Sequence, residues 1–524
     1  MMGVGWIDWL VCAAYLAIVV ALAVGSMRGQ RDNEDYFVGG RRMNWWAVGV
    51  SLFATSFSSI SFLGLPQRGA YQDFSFYLTI LTIPFVITPI LWFLFVPLYV
   101  RLRVSSGYEY LRLRFGTATQ RAGSLLYCGY ALGWMGAMLY AIALTLQGVL
   151  HLTPAQYFWT LVGLGLFATA YTAAGGLRAV VWTDVLQAVT LVATVLLVLL
   201  LAVSGIEGGW SGLWRIGNAH GRFHMVHFYD PPWDGKNFTA SDSFYTALAF
   251  GLFMYLPGYT VAQNMIQRYI CSGGLREGRG VVLLSACVNA VMGFLFLLLG
   301  VAIFCYFSQA AGPGMPALSS EDQILPHFVS ARAPGVGLVG LMLAGLFAAA
   351  MSTLDSGING VASVIVYDWL KGRPLSLWVS RLMTVALGLA VIAAALAAPY
   401  LGENVINIIN TIAGTLLGAL MAVFLLGMFV PRANQPGALI GLAAGAACLV
   451  AVIVGTNIPK WWYGAFTTVP TFLVGAAASY LFAPPPPDAR HAIWWSNSAT
   501  ASRDGTPEGV NSETTAPSDM KSKR

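Results

Sequence analysis

Charge is scarce in this chain: 10% of its 524 residues are Asp, Glu, Lys or Arg, against 57% hydrophobic residues and a mean hydropathy of +0.69. That balance excludes a water-soluble globular protein. Cysteine is also sparse, and all six (Cys12, Cys128, Cys271, Cys287, Cys305, Cys448) fall in apolar spans or on the side expected to be cytoplasmic. With none in the longest outside loop, 204–241, no disulfide framework is expected. The histidines, His151, His220, His224, His227, His327 and His491, lie in loops or at span ends. A membrane redox or proton-pumping subunit needs paired histidines or several buried ionisable groups inside the spans, so that class is disfavoured. No nucleotide-binding loop is present, which argues against an ATP-driven pump. A basic segment ahead of the first apolar stretch is missing too, and the first basic residue, Arg28, follows it. The stretch is therefore expected to be a retained anchor rather than a cleaved signal.

Apolar runs are what the chain has in quantity. Stretches of bilayer length fall at 6–26, 45–68, 76–100, 122–150, 156–173, 180–203, 242–266, 280–306, 334–366, 378–399, 404–430, 436–455 and 463–482, which predicts an all-α polytopic membrane protein of about thirteen transmembrane helices. Seventeen Lys/Arg residues flank the loops after odd-numbered spans and six flank the alternate loops. The positive-inside rule then places the N-terminus outside and the C-terminus in the cytoplasm of a plasma (inner) membrane protein. Topology accounts for the net charge of +6, so no nucleic-acid partner is expected. The proline-led tail 484–524 is poor in apolar residues and is expected to be disordered, too short for a further domain.

Polar residues inside these spans carry the functional signal. Thr55, Ser56, Ser58, Ser59 and Ser61 crowd one span, and hydroxyls with loosened carbonyls at mid-membrane depth suit the desolvation of a small cation and a polar solute. Tyr255, Pro257, Gly258, Tyr259 and Thr260 occupy a matching place in 242–266. Paired interruptions predict two inverted five-helix repeats, 45–203 and 242–430, each led by a broken helix. The 1–44 segment then supplies the anchor and first cytoplasmic loop, 204–241 an extracellular loop, and 431–483 two peripheral helices. An ordinary kink is the competing reading of Pro-Gly. In 334–366, Ala349, Ser352, Thr353, Ser356 and Asn359 share one helical face. Close helix packing or hydroxyl back-bonding would explain that face equally. Sodium, a hard cation, is suited by carbonyls and hydroxyls together.

Several ordered motifs extend the reading. Gly175-Gly176-Leu177-Arg178-Ala179-Val180-Val181-Trp182-Thr183-Asp184-Val185-Leu186-Gln187 resembles the signature opening the fifth core helix of the sodium/solute symporter family, the group of sodium-coupled glucose, proline, iodide, monocarboxylate, multivitamin and sialic acid carriers. Glu34 to Arg42, Tyr108-Glu109-Tyr110-Leu111, Ile266-Gln267-Arg268-Tyr269 and Met351-Ser352-Thr353 resemble the same family in order. The resemblance spans about 6–482 and implies sodium-driven alternating access, with no cofactor beyond the coupling ion. It also implies a sodium site from the carbonyls of Ala54, Phe57 and Ala349 and the hydroxyls of Ser352 and Thr353. Asp184 matches an aspartate linked to a second cation site, whose other ligands would fall near Asp355 and Ser356.

Substrate class follows less directly. Gly107 to Phe115 and Gln267 to Tyr269 resemble the monocarboxylate, iodide and multivitamin branch, which implies a small organic anion lined by Ser58, Ser61, Tyr255 and Tyr259. Sugar, sialic acid and proline-like amino acids remain the alternatives, and a passive channel the non-carrier one. Sialic acid would want an arginine inside 122–150, which has none. Arg68 stands at the outer end of its span, able to attract an anion or simply to snorkel. Asp355 stands where that branch would have a hydroxyl or small residue.

Overall fold

In a bilayer every backbone amide must find its partner within the protein, so long apolar segments become helices. The computed structural model describes residues 4–27, 30–231, 234–309, 315–318, 320–370, 376–401 and 411–486, and among these no strand occurs beyond an isolated bridge between His227 and Ser243. The tail expected to be disordered lies outside the described residues from 487 onward.

The main helices are α1 (Trp6–Ser26), α2 (Trp45–Ser56), α3 (Ser59–Tyr71), α4 (Ser75–Arg101), α5 (Thr117–Leu150), α6 (Pro154–Ser204), α7 (Phe244–Val261), α8 (Gln263–Cys271), α9 (Leu275–Gln309), α10 (Leu338–Trp369), α11 (Leu377–Tyr400), α12 (Ala413–Phe429), α13 (Gln435–Gly455) and α14 (Lys460–Leu481). Ten of them are long and apolar enough to cross a bilayer, or eleven when the bent pair α2 and α3 counts as one span. Two differences separate this from the thirteen expected stretches. The fifth and sixth meet as two helical arms of α6 that kink at Gly176 (φ 56, ψ −159) with no loop between them, and only 17 residues of the eleventh form an apolar helix among those described.

Local chemistry sets the boundaries. Thr153 and Gln156 form a capping box ahead of Pro154 at the start of α6, and Asn434 accepts the Gly437 amide at the start of α13. Asp8 of α1 is fully buried and accepts the Gly340 amide at 2.9 Å, so one helix supplies the missing cap of α10. Pro84 of α4 falls in one π-turn, Ile83–Ile87, and Pro89 and Pro97 flank a second, Leu91–Phe95, so the helix widens near its missing donors without breaking the span.

Packing centres on α2, α3, α6, α9 and α10, while α13 and α14 pair at the periphery against α12. Helices α3 and α9 cross closely. A Cβ added to Gly300 would press into the carbonyl oxygen of Pro66, and one on Gly69 into that of Leu297. Neither obstacle is a flexible side chain, so the backbones themselves must part. Gly300→Ala is therefore expected to lower thermal stability of the purified protein by about 1–3 kcal/mol. An unchanged melting temperature in detergent would show that the crossing is loose.

Candidate functional site

The hydroxyl-rich span does break. Helix α2 stops at Ser56, Phe57 (φ −97, ψ 96) and Ser58 (φ −89, ψ 171) are non-helical, and α3 resumes at an angle of 67°. Serine favours such a place because its hydroxyl competes for nearby backbone groups, as Ser56 Oγ does in donating to the Phe53 carbonyl at 2.7 Å. A helix end leaves carbonyls without their usual donors. Ser352 Oγ of α10 meets one of these, lying 2.9 Å from the Ala54 carbonyl and 3.2 Å from that of Ala349. Thr353 Oγ1 lies 3.4 Å from the same Ala349 oxygen. Four of the five oxygens expected at a sodium site thus converge, and Phe57 is the non-helical residue of the break itself.

Beside them lies a cluster of buried charge. Asp184, Asp355 and Arg268 are all 0% exposed. Arg268, from the Ile266-Gln267-Arg268-Tyr269 motif, turns inward: its Nη2 reaches Asp184 Oδ2 at 2.9 Å and Ser356 Oγ at 2.6 Å, and its Nε donates to Ser51 Oγ at 2.9 Å. Ser51 in turn donates to Asp184 at 2.5 Å. Asp355 Oδ2 accepts from Tyr171 at 2.7 Å and Oδ1 from Ser356 at 3.2 Å, while Thr55 and Ser356 hydroxyls stand 3.0 Å apart. The three second-cation candidates Asp184, Asp355 and Ser356 are therefore together, with a guanidinium already resting on two of them.

A second break lies in the matching helix pair, but not where the Pro-Gly pair suggested. Tyr255, Pro257 and Gly258 stay helical through a π-turn at Gly251–Tyr255, and the chain breaks at Ala262 (φ −78, ψ 126) between α7 and α8. Its freed carbonyls are taken by buried phenols: Tyr269 donates to Tyr259 O at 2.7 Å, Tyr99 to Thr260 O at 2.6 Å and Tyr108 to Val261 O at 2.8 Å.

Between the two breaks is a cavity of about 130 Å³. Of the expected solute residues, Ser61, Tyr255 and Tyr259 line it; Ser58 does not, being buried as the cap residue of α3. Thr55, Ser56, Phe57 and Thr353 also line it, so the cavity abuts the convergent oxygens directly. Sequence reasoning missed Tyr130 and Trp134 of α5, Asn264 of α8 and Asn289 of α9. Asn289, hydrogen-bonded to Ser56 at 3.2 Å, carried a usable signal as a lone amide within an apolar run.

The Sodium:solute symporter family matches the chain over residues 36–445. The chain is 29% identical over 489 residues to the sodium/sialic acid symporter NanT of Aliivibrio fischeri (strain ATCC 700601 / ES114), covering 92% of this chain and 93% of that one. It is 32% identical over 453 residues to the sodium/iodide cotransporter of Homo sapiens, covering 84% and 68%. A solved structure described as the substrate-bound outward-open state of a Na+-coupled sialic acid symporter superposes with a TM-score of 0.82 at 28% identity, covering 92% of this chain and 99% of that one. Broken helix, convergent oxygens and adjoining cavity thus sit in a chain that belongs to the sodium:solute symporter family, a multi-pass membrane protein moving a small solute with sodium by alternating access.

Proposed function

We propose that this symporter imports a small organic anion across the plasma membrane, with its N-terminus outside and its C-terminus in the cytoplasm. Its coupling sodium is held by the carbonyls of Ala54, Phe57 and Ala349 and the hydroxyls of Ser352 and Thr353. One observation carries the ion site: Ser352 joins the carbonyls of Ala54 and Ala349 across the break. A hydroxyl that donates to either carbonyl can turn its lone pairs to a cation instead, so the site can fill and empty at little cost. Breaks near equivalent places in α2/α3 and α7/α8 support two inverted repeats, 45–203 and 242–430.

Relatives named for sialic acid and iodide carry anionic cargo, which favours the anion. The cavity also favours a second reading, a neutral sugar or a proline-like amino acid, because its lining offers amides and hydroxyls and no charged side chain. Uptake of labelled acetate, pyruvate, N-acetylneuraminate, iodide, glucose and proline, with and without sodium, separates the two.

Coupling energetics bear on the buried cluster. One sodium entering through about 100 mV and a tenfold gradient releases roughly 2.3 plus 1.4 kcal/mol. A monovalent anion moving with one sodium carries no net charge and forfeits the first quantity. Two carboxylates and one guanidinium leave Asp184, Asp355 and Ser356 with a deficit of one positive charge, and a second cation there would restore the voltage drive.

Ser352→Ala and Thr353→Ala are each expected to raise the sodium concentration for half-maximal uptake at least tenfold, the double variant abolishing sodium dependence; wild-type uptake by the double variant removes the site. Asp355→Asn should lower the sodium Hill coefficient towards one, and an unaltered coefficient assigns Asp355 to structure alone. Arg268→Gln leaves Asp184 buried without its partner and should cost about 3–5 kcal/mol of stability, largely recovered when Asp184→Asn is added. If the double variant melts no higher than the single one, the ion pair is not what holds the cluster.

A further inference from the structure

Ser61 and Leu65 line the cavity from α3, and the next residue on that helical face is Arg68, at positions i, i+4 and i+7. Its guanidinium carbon sits 4.3 Å over the ring of Phe76, itself a cavity residue, and its Nη1 donates to Gln72 Oε1 at 3.2 Å. A snorkelling arginine would turn its head to the bilayer surface. This one is half-buried and stacked on Phe76, just beyond the residues that line the cavity. Among the described residues no carboxylate lies within ion-pair distance of it. Asp322 in the short helix-linked segment Glu321–Gln323 is close enough to feel its charge, though burial and the neighbouring Glu321 push the Asp322 carboxyl up against that influence. A guanidinium has five donors in a planar fork, and the structure shows one of them used by a side-chain acceptor.

We propose that Arg68, seated on Phe76 just beyond the lining of the cavity, recognises the carboxylate of the solute, and that the solute is an elongated organic monocarboxylate. This rests on the anion reading of the function and sharpens it. Seven helical residues separate Ser61 from Arg68, a rise of about 10 Å. A solute with its carboxylate on Arg68 and its far end among Ser61, Ser56 and Asn289 must span that distance, whereas an acetate-sized anion meets one end only. The stretch between is walled by Leu65, Ile80, Phe76 and Phe250, which suits a largely apolar body. Arg68 also takes the part that an arginine within α5 cannot play here, since Tyr130 and Trp134 are what that helix turns to the cavity.

The test is sodium-dependent binding to the full-length purified protein in lipid nanodiscs, read by calorimetry. The probes are 4-phenylbutyrate and N-acetylneuraminate as long carboxylates, 4-phenylbutyramide as the uncharged counterpart, and acetate as the short anion. Wild-type protein is expected to bind at least one long carboxylate more tightly than the amide or acetate. Arg68→Gln should weaken that binding roughly ten- to a hundredfold, the loss of a charged hydrogen-bonded contact, while leaving sodium binding without solute unaltered. Arg68→Lys should recover part, and Phe76→Leu, which keeps the charge but removes its seat, should fall between. Equal binding of the carboxylate by wild type and Arg68→Gln overturns the assignment and leaves anion symport standing. A wild-type preference for the amide overturns anion symport, and this inference falls with it.

Discussion

A carbonyl released inside a membrane must be given a new donor, and the structure is organised around where those donors come from. Three interruptions show three answers. At Gly176 the carbonyls of Ala173 and Gly175 are taken by Tyr36 at 3.1 Å and Gln30 at 2.7 Å, both from the first loop. At Ala262 three phenols seal three successive carbonyls. At Phe57–Ser58 the Ala54 carbonyl is served by one aliphatic hydroxyl of α10 that has a second carbonyl within reach. A phenol wedged in a packed core is a fixed donor, whereas a serine hydroxyl rotates at little cost. The last of these three breaks is thus the one whose donor can turn away, as the proposed ion site requires.

The buried charges follow the same logic of satisfied groups. Asp8 caps a helix, and Asp368 accepts from Ser106, Gln120 and Ser124 at 2.9, 2.8 and 2.6 Å. Each is a carboxylate balanced by fixed neutral donors, as permanent scaffold requires. Asp184 differs in having a full counter-charge, and Arg268 brings α8, just beyond the second break, against α2, just before the first. The guanidinium therefore joins the two leading helix pairs through the very residues that flank the proposed ion. Asp355 has two hydroxyl donors and, among the described residues, no cation in contact, while the second oxygen of Asp184, Oδ1, is buried without a donor.

Much of this was legible in the sequence, and the gaps have physical causes. The helical class, the hydroxyl-led break and the convergence of Ser352 with Ala54 could be read from apolar length, serine clustering and ordered motifs. The second break was misplaced by about four residues because Pro257 sits in the first turn of the helical segment after a π-turn, where its missing donor costs little; the position that fails is Ala262, whose side chain gives no warning. The burial of Arg268 was not legible because it depends on a partner 84 positions away, which no local pattern reveals. Loss of the loop between the fifth and sixth stretches has a similar origin: one left-handed glycine suffices to redirect the chain when Tyr36 and Gln30 are there to take its carbonyls. Asn264 and Asn289 were overlooked because each is a single polar residue that periodicity treats as noise.

Coupling between ion and solute follows from shared parts rather than from a relay. Thr55, Phe57 and Thr353 line the cavity and also belong to, or directly adjoin, the proposed sodium ligands. An ion bound at the break would draw the Ser352 and Thr353 hydroxyls and the released carbonyls into one arrangement, and the cavity wall would be ordered by the same event. A solute then meets a surface whose conformational entropy has already been reduced, and it binds more tightly for that reason. Linkage requires the reverse as well: a solute that orders Phe57 and Thr353 must raise the affinity for sodium by the same factor. The seal at Ala262 confines this proposed coupling to one place, because a second break fixed by three phenols leaves the first as the element whose order the two ligands would jointly control.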